Sequence, residues 1–202
     1  MMRLGRCARL RAPATMILTA RGEGLALAHV AWAALASGAL LLTDAGALGW
    51  WGLPTLALFG ALALITLFDA RYLLIPDGPL VVLLLCGLAI LPFLGRWDAV
   101  DRLAAGLCGQ GTMWLADLAY ARLRGRAGLG PADAKLFGAA GLWLGLAALP
   151  GCLLVACASA LLSALIASRG RTIAHLRQPM PFGPHLALGL WLSWALGPFE
   201  AG

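Results

Sequence analysis

The sequence predicts an all-α protein, built as a polytopic bundle of transmembrane helices. Of its 202 residues, 61% are hydrophobic and 12% are charged, whereas a soluble domain carries about 25% charged residues and less than half apolar ones. The mean hydropathy is +0.87. A protein core of this size cannot bury so much apolar surface, so we expect a lipid bilayer to surround the chain.

Apolar segments predict about seven membrane spans, one at the N-terminus and six that form a core. A helix needs about 20 residues to cross a bilayer, and shorter spans occur. Pro150-Gly151 interrupts the long apolar stretch 136–168 as a turn would, which predicts two short helices there. The predicted spans are roughly 25–43, 48–68, 79–95, 103–121, 134–149, 151–168 and 184–199.

The basic residues predict which side of the membrane each loop occupies. If residues 1–24 are cytoplasmic, all 15 Lys and Arg residues except Arg96 and Arg102 lie on the cytoplasmic side, as the positive-inside rule requires. We therefore expect a cytoplasmic N-terminal segment, 1–24, and a membrane-embedded domain, 25–199. A cleaved signal peptide is the alternative for the first span, although its leader is long for one.

Several common kinds of site are not predicted. The five cysteines contain no CxxC pair and the three histidines are scattered along the chain, so we expect no metal site and no cofactor. The basic residues fall in short clusters between apolar runs and build no basic face. We therefore expect the lipid bilayer, and no nucleic acid, as a partner.

Two acidic residues at the ends of apolar segments are the candidates for chemistry. Asp69 follows the segment that ends at Phe68, and Asp133 precedes the segment that starts at Leu136. Charges next to membrane spans are costly and often functional. If the two carboxylates meet, they share a proton, and one can activate water while the other protonates a carbonyl. On spacing alone, acids that merely mark helix ends are the simpler interpretation.

The residues before Asp133 favour the functional interpretation. Gly128 and Gly130 allow unusual backbone angles and the close approach of another segment, and Pro131 suits the first position of a helix. Lys135 follows, where it could orient the acids or simply anchor the helix at the interface. A glycine-rich loop that carries an acid into a membrane helix is hard to explain by packing.

Three ordered motifs resemble those of the type IV prepilin peptidases, relatives in the GxGD class of membrane aspartic proteases. The segment 128–136, Gly-x-Gly-x-x-Asp-x-Lys-Leu, is similar to that family's second aspartate motif, and 69–77, which ends in Ile-Pro-Asp, resembles the first. The segment 180–184, Met-Pro-Phe-Gly-Pro, resembles the start of the family's last span. The ordered triple is specific and covers roughly residues 25–199.

The resemblance implies a multi-pass peptidase of the bacterial inner membrane, with Asp69 and Asp133 as catalytic acids. It would cleave the leader peptide from prepilins or pseudopilins at the cytoplasmic face. Larger members also have a domain with two CxxC pairs and N-methylate their product; this sequence has no such pairs, and we do not predict methyltransferase activity. Further site residues are expected near Asp133 (Gly128, Gly130 and Lys135) and in a substrate loop (Pro181, Phe182 and Gly183).

Two other functions are compatible with membrane-bound acids. One is a small transporter that uses intramembrane aspartates for proton coupling, which gives no reason for the Gly-x-Gly-x-x-Asp spacing. The other is an inactive relative that only binds prepilins.

Within the peptidase hypothesis, the partial charges at helix ends stabilise the ionised form of Asp133 and destabilise that of Asp69, by about 0.3–1 kcal/mol each. This favours Asp133 as the base and Asp69 as the proton carrier, whereas the positive charge of Arg71 opposes the assignment.

Overall fold

The computed structural model describes residues 52–125, 128–168 and 181–196. In these ranges every regular element is helical, as the sequence predicts, and one α-helix largely overlaps each predicted span from the second to the seventh. The first predicted span, 25–43, lies outside the described residues. The helices are α1 (Gly52–Tyr72), α2 (Asp77–Ile90) with a 3-10 turn (Leu91–Phe93), α3 (Arg96–Arg124), α4 (Pro131–Leu144), α5 (Leu149–Ser168) and α6 (Gly183–Leu196).

Two of the described helices are long and apolar enough to cross a bilayer. They are α1 and the Leu149–Ile166 part of α5, and α2 with its 3-10 turn is a shorter apolar segment. Large side chains such as Leu107 and Leu154 are exposed on the outside of the bundle. Helices that are apolar on their outer as well as their inner faces are typical of a membrane-embedded bundle.

Helices α4 and α6 form the centre of the bundle. Helix α4 packs against α2, α3 and α6, and α6 also packs against α1 and α5. The fully buried indole of Trp143 donates a hydrogen bond of 3.0 Å to the carbonyl oxygen of Leu83, as a buried indole N–H requires. Its ring also meets Trp194 edge to face at 5.3 Å. These contacts tie α2, α4 and α6 together.

The first turns of α3 cap the far end of α4. The Arg102 guanidinium donates to the carbonyl oxygens of Leu142 and Trp143. The Asp101 carboxylate accepts a hydrogen bond of 3.1 Å from the N–H of Leu146. Carbonyl groups at a helix C-terminus lack intrahelical donors and favour a nearby cation. This cap fixes α4 at the end opposite Asp133.

The break in the apolar stretch 136–168 lies at residues 145–148, so the predicted turn at Pro150-Gly151 is wrong, although the two predicted helices are present. Gly145 has φ +82°, a conformation that favours glycine, and its N–H donates to the carbonyl oxygen of Gly141 to end α4. Pro150 is instead the second residue of α5, where a missing N–H costs little.

Glycines allow α3 and α4 to approach each other closely. A Cβ added to Gly109 would come 2.9 Å from the carbonyl oxygen of Phe137, and one added to Gly141 would overlap the main chain of Ala105. Small residues permit this kind of close packing between membrane helices. Helix α4, which carries Asp133, is therefore held against α3 by direct main-chain contact.

Replacing Gly141 by Ala is expected to destabilise the protein by about 1–3 kcal/mol, because the added methyl group must displace main-chain atoms of α3. Thermal unfolding of the detergent-solubilised protein measures the loss. The matched control is Gly111→Ala, since nothing lies within 4 Å of the Cβ it adds. Ala is the better helix former by about 1 kcal/mol, so the control should be neutral or slightly stabilising. Equal stability of the two variants would contradict this account of the packing.

Candidate active site

The two acids singled out by the sequence lie on different helices at the same end of the bundle. Asp69 is in the last turn of α1 and is buried, with 6% of its surface exposed. Asp133 is in the first turn of α4 and is partly buried. Helix α6 packs against both α1 and α4, and Asp69 lies near enough to Asp133 for the two carboxyl groups to interact electrostatically. The fold therefore brings the two predicted site residues to the same end of the bundle.

The first turn of α6 holds the Asp69 carboxylate. The main-chain N–H of Gly183 donates a hydrogen bond of 2.8 Å to Oδ2 of Asp69, and this bond is buried. A Cβ on Gly183 would lie 2.7 Å from the same oxygen and 3.1 Å from Cγ. Only glycine fits here without moving the acid. Of the three residues expected in a substrate loop, Gly183 therefore contacts a candidate catalytic acid directly.

The other two residues expected in the substrate loop, Pro181 and Phe182, directly precede helix α6. The carbonyl oxygen of Phe182 accepts hydrogen bonds of 3.0 Å from the N–H groups of His185 and Leu186, and the Phe182 side chain packs against the core. Pro181 directly precedes it and is partly exposed. This anchoring keeps the Gly183 amide directed at Asp69.

The turn after Asp69 has an unusual backbone conformation. Leu73 has φ +53°, in the left-handed region, which costs a residue other than glycine roughly 1–2 kcal/mol. Its N–H donates a hydrogen bond of 2.9 Å to the carbonyl oxygen of Asp69, and this bond ends α1. The buried Ile75 and the partly buried Pro76 follow before α2 begins. Strain of this kind persists where the surrounding structure imposes it, often beside functional residues.

Asp133 is positioned by the residues just before it. Pro131 occupies the first position of α4, as predicted. The N–H of Gly130 donates a hydrogen bond of 3.2 Å to Oδ2 of Asp133. An acid at the third helical position that binds the N-cap amide is half of a capping box. Each candidate catalytic carboxylate thus accepts one hydrogen bond from a glycine amide.

Asp117 is an acid whose hydrogen-bond partners the sequence did not reveal. It lies inside the fourth predicted span, where the sequence allowed it to line the site or, as we favoured, to hydrogen-bond a neighbouring helix. Its Oδ1 instead accepts hydrogen bonds of 2.8 Å from the amides of Gly128 and Leu129. A lone acid inside an apolar helix was the only available signal, and it did not identify the partner.

Lys135 connects the two aspartate motifs at the surface. Its Nζ lies 3.8 Å from Oδ1 of Asp77, and both side chains are well exposed, at 52% and 83%. An exposed ion pair of this kind contributes about 0–1 kcal/mol. In the described ranges, no group of three or more His, Cys, Asp or Glu side chains could hold a metal ion.

Comparison with known proteins shows similarity to one family. The model of the type IV leader peptidase family matches residues 56–166. The chain is 38% identical to the prepilin leader peptidase/N-methyltransferase of Pectobacterium carotovorum subsp. carotovorum, over 68% of this chain and 51% of that protein. It is 35% identical to the protein of that name from Aeromonas hydrophila (74% and 51%), and 34% identical to that from Burkholderia pseudomallei strain 1026b (92% and 56%).

The chain spans about half the length of the curated relatives it matches. No solved structure matches it.

Proposed function

Because the chain belongs to the type IV leader peptidase family, we propose that it is a membrane aspartic endopeptidase that removes the leader peptide from type IV prepilins or pseudopilins. One observation carries the proposal: two acids from separate helices, each bound to a glycine amide, interact through their charges. Such a pair shares a proton and can hydrolyse a peptide bond without a covalent intermediate.

The proposed reaction uses Asp69 and Asp133 as a general acid–base pair. One carboxylate takes a proton from the attacking water while the other protonates the carbonyl oxygen of the scissile bond. The amides of Gly183 and Gly130 hold the two carboxylates in place. Lys135, partnered with Asp77, is at the exposed rim between the two motifs.

We also propose the membrane topology that the charge pattern predicts. It has about seven spans in the bacterial inner membrane, a cytoplasmic N-terminal segment at 1–24 and a membrane domain at 25–199. The candidate acids would then face the cytoplasm, where the basic residues gather. The relatives' name also includes an N-methyltransferase. Our proposal is limited to the peptidase, because the motifs found here are those of the peptidase.

Co-expression of the full chain with a tagged prepilin tests this function. A peptidase shortens the prepilin by its leader, which a gel shift detects and which an empty vector does not produce. A proton-coupled transporter leaves the prepilin intact and shows a proton flux that depends on the aspartates. An inactive prepilin-binding relative retains the intact prepilin on purification. Either of the last two results would refute the proposed function.

A further inference from the structure

Three successive amides of the loop before α4 are bound by acidic side chains. The amides of Gly128 and Leu129 both donate hydrogen bonds to Asp117 on α3, and the amide of Gly130 donates one to Asp133 on α4. Hydrogen bonds to an ionised acceptor are roughly twice as strong as those between neutral groups. The loop is therefore tied to Asp117 on one side and to the candidate catalytic acid on the other.

The location of Asp117 determines the path of this loop. Asp117 lies about two turns before the end of α3 at Arg124, which is about 10 Å along the helix axis. Gly125, with φ +68°, follows the last residue of α3, and the amide of Gly128 is bound to Asp117, about two turns back along that helix. Gly128 and Leu129 are thus held beside Asp117 directly before Pro131 and the start of α4.

Two neighbouring contacts help to hold the loop in this position. Gly128 lies against the ring of Tyr120, where an added Cβ would come 2.5 Å from Cδ1. The partly buried side chain of Leu129 packs against the core. Gly128 therefore allows the close approach that brings two amides onto one carboxylate oxygen, and Leu129 anchors the loop to the core.

We propose that Asp117 is a positioning residue, which fixes the Gly128–Gly130 loop and through it the orientation of Asp133. The inference rests on the proposed peptidase function. Asp117 holds the main chain of the loop, and its effect on the reaction passes through Gly130. A displacement of about 1 Å at a reacting group can cost roughly 10²-fold in rate.

The test compares Asp117→Ala, Asp117→Asn and the control Asp98→Ala. Asp98 is an exposed acid in the first turn of the same helix. Asp117→Ala removes the acceptor and is expected to lower kcat by about 10²-fold with KM unchanged. Asp117→Asn keeps an oxygen in place and should recover part of this loss, whereas Asp98→Ala should match the wild type. Melting temperatures are measured for all three variants. If they are equal, unfolding cannot explain a kcat that falls from Asp98→Ala to Asp117→Asn to Asp117→Ala.

Amide hydrogen–deuterium exchange of the full-length protein provides a second reading that does not depend on proteolysis. The amides of residues 128–130 should exchange faster in Asp117→Ala than in the wild type, with Asp117→Asn in between. Unchanged exchange would overturn the positioning role even if the wild type cleaves prepilin. Faster exchange with wild-type kcat would also overturn it. If the wild type cleaves no prepilin, the peptidase proposal fails, and the exchange alone decides whether Asp117 holds the loop.

Discussion

Replacing either Asp69 or Asp133 by Asn is expected to reduce leader cleavage by at least about 10²–10⁴-fold, the contribution of a positioned acid or base. Asn has the shape of Asp but cannot take up or release the proton that the reaction moves. Each carboxylate accepts a single glycine amide in the described structure, so the amide oxygen of Asn can keep that bond and the fold should persist. Quantitative gel-shift kinetics with a tagged prepilin measure the loss.

The double variant makes this prediction sharper. Residues that act as one catalytic unit show strongly non-additive losses, so Asp69→Asn with Asp133→Asn should be about as inactive as either single change. Asp98→Asn is the matched control, since it alters an exposed acid at the other end of the bundle, and it should cleave at the wild-type rate. Normal cleavage by either single variant at equal protein level would refute the assignment of the pair.

The second large effect is expected from Gly183→Ala. Its methyl group would come 2.7 Å from Oδ2 of Asp69, so either the buried hydrogen bond breaks or the carboxylate moves. Misplacement of a reacting group by about 1 Å costs on the order of 10²-fold in rate. We therefore expect kcat for leader cleavage to fall by about that factor while the protein remains folded.

Two glycines separate this effect from general destabilisation. Gly60→Ala, on the same helix as Asp69, adds a Cβ with nothing within 4 Å and should behave as the wild type. Gly189→Ala, on the same helix as Gly183, pushes its Cβ into the main chain of Cys152, so it should lower the melting temperature but leave kcat per folded molecule intact. Wild-type kcat in Gly183→Ala would show that α6 does not position Asp69.

Local sequence signals predicted the described helices and placed Asp69 and Asp133 at helix ends. Composition indicated a bilayer-embedded chain, because charge and apolar content are sums that do not depend on the fold. Pro131 correctly indicated the start of α4, since its fixed φ and missing N–H suit a first helical turn. The same signal was ambiguous at Pro150, because proline suits both a turn and a helix start. Only the positive φ of Gly145 located the break.

The sequence by itself determined the all-α class of the fold, the approximate extent of the described helices and which acids lie at their ends. The tertiary structure alone decided which groups meet: Gly183 with Asp69, 114 residues apart, and Asp117 with the loop before Asp133. Apolar periodicity and turn residues act over a few positions, whereas these contacts depend on how α1, α3, α4 and α6 pack. A glycine reveals that a neighbour comes close, but only the packed helices show which neighbour it is.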